Sequence, residues 1–203
     1  DIDTVIHSHV LEHVYDPNTF LSNISDFLSE GQFLLFSVPN IEIMIKRKYS
    51  NALNFEHTFY LTEIYTKYLL NKNNFRILKT EYFKDDHSIF YACIRDSNVE
   101  KISLPKELFH YNKKIFIEYI DHFKKIIAEM NHKLKNIKKS SKLYLFGGHV
   151  FSQYLISYGL DTSGIECILD NDINKHGKRL YGTNLKVYSP KIIKDEEKPI
   201  IIL

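Results

Sequence analysis

Short apolar runs alternating with segments of helical periodicity constrain this chain more than any other feature. Thr4-Val5-Ile6, Gln32–Val38, Leu143–Phe146, Ile165–Leu169, Leu185–Tyr188 and Ile200–Leu203 are too short for helices and apolar enough for buried strands. Between the first two, Phe20, Leu21, Ile24, Phe27 and Leu28 recur at steps of three and four. Asp16-Pro17 opens that segment as an N-cap followed by proline at the first helical position, and Gly31 closes it. Val150–Tyr158 has the same character and ends at Gly159. Strands that alternate with helices predict an α/β fold with parallel strands and right-handed crossovers.

The middle of the chain reads differently. Ile41 to Leu61 has no clear period and is expected to be a long irregular loop, a kind of segment that tends to carry function. Thr62 and Glu63 then open a second helix, with Ile64, Tyr65, Tyr68, Leu69 and Leu70 on one side. Phe75–Phe83 and Ser88–Arg95 are two further strands around the charged turn Lys84-Asp85-Asp86. Residues 96–104 are polar. From Pro105 to about Lys138 one long amphipathic helix is expected, and Lys133, Lys135, Lys138, Lys139 and Lys142 cluster at its end. A basic cluster there complements the helix dipole and is read as a solvated face, so no nucleic-acid partner is expected.

At 203 residues, 44% hydrophobic and 26% charged, the chain can bury a sizeable core. Its net charge of +2 recruits neither nucleic acid nor an anionic membrane. Residues 1–97 carry 9 basic and 13 acidic groups and residues 98–203 carry 18 and 12, so a phosphate-bearing ligand suits the second half better. Cys93 and Cys167 stand alone in apolar runs, as buried thiols of a reducing compartment do. No basic-then-apolar leader opens the chain and no apolar run reaches about 18 residues, so a cytoplasmic protein without a membrane partner is expected. The chain opens mid-strand and stops inside Pro199-Ile200-Ile201-Ile202-Leu203, which reads as a piece of a longer protein.

Three constellations are candidates for chemistry. The first is His7-Ser8-His9-Val10-Leu11-Glu12-His13, a polar strand tip. A metal-dependent hydrolase using His7, His9 and His13 is one reading, and backbone capping at a strand end is another; no metal is expected. The second is Asn54-Phe55-Glu56-His57-Thr58-Phe59-Tyr60, where Glu56 and His57 could form a general base with its partner or merely cap the next helix. The third is Phe146-Gly147-Gly148-His149-Val150, a strand-to-helix turn that either admits a phosphate to the helix N-terminus or is simply tight. Asp170 ends the next strand, where it could meet a ribose or cap a turn.

The wording Asp3-Thr4-Val5-Ile6-His7-Ser8-His9-Val10-Leu11-Glu12-His13-Val14, followed in register by the helix to Leu28 and by Gly31-Gln32-Phe33-Leu34-Leu35-Phe36-Ser37-Val38-Pro39, resembles the fourth strand onward of a class I S-adenosylmethionine-dependent methyltransferase. Glu56-His57, the long helix and the pattern Leu169-Asp170-Asn171-Asp172, Lys175, Gly177-Lys178, Gly182-Thr183 and Ser189-Pro190 extend the resemblance to the sugar C-methyltransferases, which methylate carbon 3 of nucleotide-linked keto-sugars.

The resemblance implies the second half of a Rossmann-like methyltransferase sheet over 1–97, a linker and long helix over 98–141, and a small, incomplete Rossmann-like α/β domain over 142–203. It implies S-adenosylmethionine as cofactor and a nucleotide-linked small molecule as substrate in surface-polysaccharide synthesis. His57 would be the base that takes the proton alpha to the keto group, with Glu56 beside it and His13 positioning substrate or enolate. His7 and Ser8 would face the cofactor, and Asn54, Tyr60, Gly147, Gly148 and His149 the substrate. The cofactor's own glycine-rich loop would lie upstream of Asp1. The family carries Tyr where this chain has Asn54, which leaves carbon, oxygen and nitrogen open as methyl acceptors. A non-catalytic nucleotide-sugar-binding fragment is the alternative from another class.

Overall fold

The computed structural model of the chain describes residues 2–53, 56–137 and 141–202. It is a mixed α/β protein with two four-stranded sheets. The chain divides into two compact units, Asp1–Tyr119 and Ile120–Leu203.

In the first unit, β1 (Thr4–Ser8) is followed by a single 3₁₀ turn, Leu11–His13. Helix α1 (Pro17–Phe27) starts where expected, because the Asp16 carboxylate accepts the backbone N–H groups of Asn18 and Thr19 at 3.0 Å and Pro17 needs no partner there. Strand β2 (Phe33–Pro39) pairs parallel to β1, which makes β1–α1–β2 a crossover unit. The expected loop after it is partly helical: α2 (Ile41–Lys46) buries Ile41 and Ile45, and Lys46 pairs with Glu42 at 2.7 Å. Six residues hold too few turns to display a period, which is why this helix is silent in the sequence. Helix α3 (Glu63–Lys72) leads into the hairpin of β3 (Phe75–Phe83) and β4 (Ser88–Arg95). Lys84 and Asp85 both adopt positive φ in its turn.

The strand order is β1-β2-β4-β3, with β4 antiparallel to both neighbours. One sheet face, with Leu34, Phe36, Val38, Ile89, Tyr91 and Cys93, joins Leu21 of α1 and Leu69 and Leu70 of α3 in a single core. The other face carries Ile6, Phe33 and Phe90, all exposed, and a cleft of about 260 Å³. Two expected core residues are therefore outside: Ile6 is 72% and Phe27 60% exposed. The last turn of α1 hands its apolar contact to Leu28, its buried C-cap.

Helix α4 (Leu108–Lys135) contains the division between the units, so the expected linking segment 98–141 is shared between them. Lys138 and Lys139 lie outside the described residues. In the second unit, β5 (Leu143–Phe146), β6 (Ile165–Leu169), β7 (Val187–Tyr188) and β8 (Ile200–Ile202) form a wholly parallel sheet of order β7-β6-β5-β8, and helix α5 (Val150–Ser157) links β5 to β6. Leu145, Ile165, Ile168, Val187 and Ile202 build its core with Ile127 of α4. Cys93 and Cys167 are free and buried, and burial pushes both thiols up, Cys93 to about 12. Among the described residues no helix is long and apolar enough to cross a membrane.

Candidate functional site

The carboxyl ends of β1 and β2 lie side by side in the first unit, and ligands of open α/β sheets bind beyond such ends. His9 follows β1 with a φ of 52°, a left-handed conformation uncommon outside glycine. Its ring is fastened on both sides, with Nδ1 3.0 Å from Glu12 Oε1 and Nε2 2.9 Å from Ser88 Oγ. Glu12 is thereby held inside, at 3% exposure, although its other carboxylate oxygen, Oε2, has no hydrogen-bond partner among the described residues.

The Glu-His segment is tied to this turn by its own backbone. The Thr58 N–H donates to the Glu12 carbonyl at 2.9 Å, and the Thr58 hydroxyl donates to the Val14 carbonyl at 2.6 Å. The Glu56 carbonyl accepts from His13 Nδ1 at 2.9 Å. A carbonyl only accepts, so Nδ1 of His13 carries the proton and Nε2 has the lone pair. The His13 and His57 rings stand edge to face with centroids 4.9 Å apart, and the Tyr60 ring lies 6.1 Å from that of His57. Glu12, Val38, Pro39, Ile41, His57, Phe59, Tyr60 and Leu61 enclose a crevice of about 10 Å³, room for roughly one water. Burial pulls the His57 imidazole below its usual value, against the opposing charge of Glu12, which favours the neutral base near pH 7.

The strand tip and the Glu-His segment thus lie against each other, with His13 beside His57 and the Glu56 carbonyl. Glu56 contributes through its carbonyl. Glu12, which the sequence offers only as one member of the polar strand tip beside its three histidines, meets His9 through its carboxylate and Thr58 through its carbonyl. Its signal there is a lone carboxylate among Val10, Leu11 and Val14, where a charge needs partners. Asn54 lies outside the described residues.

Other expectations need correction. His7 does not face a cofactor. Its ring turns to the helix-covered face, 5.5 Å from Phe20 and 5.0 Å from Phe36, and both ring nitrogens are closed off without a partner among the described residues. Strand alternation is the reason: one residue along, Ser8 points to the open face and meets Ser37 Oγ at 2.7 Å. His7, His9 and His13 therefore do not converge as a metal cluster.

Burial holds the His7 imidazole down at about 4. Unfolded, it would titrate near 6.5, so between these values the folded chain binds fewer protons than the unfolded one. This contribution is complete above about pH 6.5 and is lost as pH falls towards 4. We expect about 1–2 kcal/mol less stability of the first unit at pH 5 than at pH 7 from this residue, allowing for its partial exposure. Urea midpoints at the two pH values test it. The His7→Phe variant should show a smaller drop than the wild type, and an equal drop would exclude His7 as the source.

The glycine turn of the second unit is structural. Gly147 adopts a φ of 100°, and the Gly148 N–H donates to Asp170 Oδ2 at 2.8 Å. Asp170 also accepts from the Asp172 N–H at 2.8 Å and from Lys175 Nζ at 2.9 Å. Burial alone would raise the Asp170 carboxyl, but these donors hold it below the ordinary range. A Cβ on Gly148 would come within 3.2 Å of Val187 and 3.3 Å of Asp170, so any other residue there would push these side chains back by a few tenths of an ångström. Asp170 is a cap, and the N–H that a phosphate would need is already engaged. His149 is exposed at the N-terminus of α5, its ring 5.4 Å from that of Phe151. No protein-family model matches the chain, and no curated protein does.

Proposed function

We propose that the first unit carries the acceptor side of a class I S-adenosylmethionine-dependent methyltransferase site, acting on a nucleotide-linked keto-sugar or a related surface-polysaccharide precursor. The observation that carries this reading is the meeting of His13, His57 and the Glu56 backbone beyond the carboxyl ends of two parallel strands. In this reading the second unit, with its parallel sheet, is the small Rossmann-like domain, and the protein works in the cytoplasm.

S-adenosylmethionine supplies an electrophilic methyl group when bound. The described residues fit it only in part, since Ser8 is presented at the open face and His7 is not. Gly31 is the sole glycine before residue 120, and it lies in the turn between α1 and β2, so the glycine-rich grip is not among these residues. The proposal is therefore confined to the acceptor. His57 accepts the proton from the carbon alpha to the ketone, giving an imidazolium and an enolate. Glu12, buried nearby, favours that imidazolium by its charge. His13, oriented by the Glu56 carbonyl, offers its Nε2 lone pair to a substrate hydroxyl. The crevice is too small for a sugar, which would lie across its mouth.

Proton removal can be tested without the donor. In D₂O, the chain should exchange the carbon-3 proton of a nucleotide-linked keto-sugar faster than buffer does, read by proton NMR. Exchange should vanish in His57→Ala. Isothermal titration with S-adenosylhomocysteine and with the nucleotide-sugar separates the rival. Binding of nucleotide-sugar without exchange and without S-adenosylhomocysteine would leave a binding module and no enzyme.

A further inference from the structure

We propose that Glu12, His13 and His57 form a three-ligand site for a divalent transition-metal ion of the zinc type. One ligand atom from each residue lies within 4.8 Å of the other two. In a tetrahedral zinc site, bonds of about 2.0–2.2 Å put neighbouring donor atoms about 3.4 Å apart. Side-chain rotation of little more than an ångström closes that difference, and His57 stands on a segment without regular secondary structure.

Two independent observations point to a ligand. The first is Oε2 of Glu12: the residue is 3% exposed, its Oε1 is taken by His9, and Oε2 has no partner among the described residues. A buried carboxylate oxygen left in this way is costly unless something meets it, and a cation does so best. The second is the outer layer. His13 gives its Nδ1–H to the Glu56 carbonyl, which fixes the tautomer that leaves Nε2 to coordinate. His9, braced by Ser88, orients Glu12 in the same way. Carbonyl-held imidazoles and a hydrogen-bonded carboxylate are how metal sites are built.

The ligand set selects the ion. Two imidazoles and one carboxylate suit zinc, cobalt or nickel, whereas magnesium and calcium take oxygen donors. Three protein ligands leave a fourth position for water or an oxygen of a bound molecule. The ion would occupy the His57 lone pair needed for proton removal. The loaded site is then the off state of the proposed base, and zinc should act as an inhibitor.

The site can be tested without turnover. The chain is stripped with chelator and titrated calorimetrically with zinc chloride. One equivalent should bind, and cobalt should give the intense visible absorption of a tetrahedral complex. Glu12→Gln keeps the shape of the buried side chain, and His13→Ala changes an exposed one. Each should weaken zinc binding at least tenfold, on the scale seen when metal-site partners are lost, while His122→Ala leaves it unchanged. Absence of stoichiometric binding, or binding untouched by both variants, overturns the proposal. The readout is metal affinity, so a failed exchange assay and a failed titration tell against different statements.

Discussion

In a protein that joins this chain to the cofactor's glycine-rich loop, replacing His57 by alanine should lower methyl-transfer turnover by a factor on the order of 10² to 10⁴, the usual worth of a positioned general base. The expectation follows from its surroundings. Burial keeps the imidazole neutral near pH 7, Glu12 compensates the charge it gains, and backbone bonds through Thr58 and Glu56 hold its segment against the strand tip. Alanine removes the base while these backbone bonds remain. Affinity for S-adenosylhomocysteine and the urea midpoint should therefore stay near wild-type values, and chelator in the assay keeps adventitious zinc out of the comparison. Turnover within a few-fold of wild type would remove His57 from the mechanism. A loss of turnover matched by a loss of stability would assign it a structural role instead.

Leu34→Ala should destabilise the first unit by about 2–5 kcal/mol, the range for a leucine deleted from a well-packed core. Leu34 is 0% exposed and lies on β2, paired with Val5 of β1 and Cys93 of β4. With a strand on either side, the site has little freedom to collapse around the missing atoms. Phe33, the next residue, is 38% exposed on the other face, so Phe33→Ala should cost under about 1 kcal/mol despite removing a larger side chain. Paired urea unfolding curves read the contrast. Similar losses from both variants would mean that the two faces of β2 are not covered as unequally as described. The core of the second unit is a separate cluster and should unfold unchanged in either variant.

Much of the architecture could be read from residues alone. Strands β4, β5 and β6 have the bounds that their apolar runs suggest, because a buried strand needs consecutive or alternating apolar side chains and little else, and the mostly exposed β3 is bounded by the charged turn it shares with β4. The start of α1 was equally legible, since Asp16 and Pro17 satisfy local backbone requirements that no distant contact has to supply. Helix α2 was hidden by its shortness. Ile6 and Phe27 were misjudged because a pattern marks which residues share a face and not whether that face is covered.

The site divides along the same line. The sequence by itself determined which groups are available: a histidine-rich strand tip, a Glu-His segment, a glycine turn and a lone Asp170. Local chemistry also settled that Asp16 would cap and that Gly147 could take a left-handed φ. Only the tertiary structure decided their use. Strand alternation sent His7 into the core and Ser8 to the open face, a pairing that depends on which side α1 covers. Hydrogen bonds spanning more than forty residues brought His57 to Glu12 and His13, and Asp170 closed the Gly148 N–H across 22 residues. Such contacts are non-local, and their geometry exists only once each sheet has folded and its own neighbouring strand ends lie side by side.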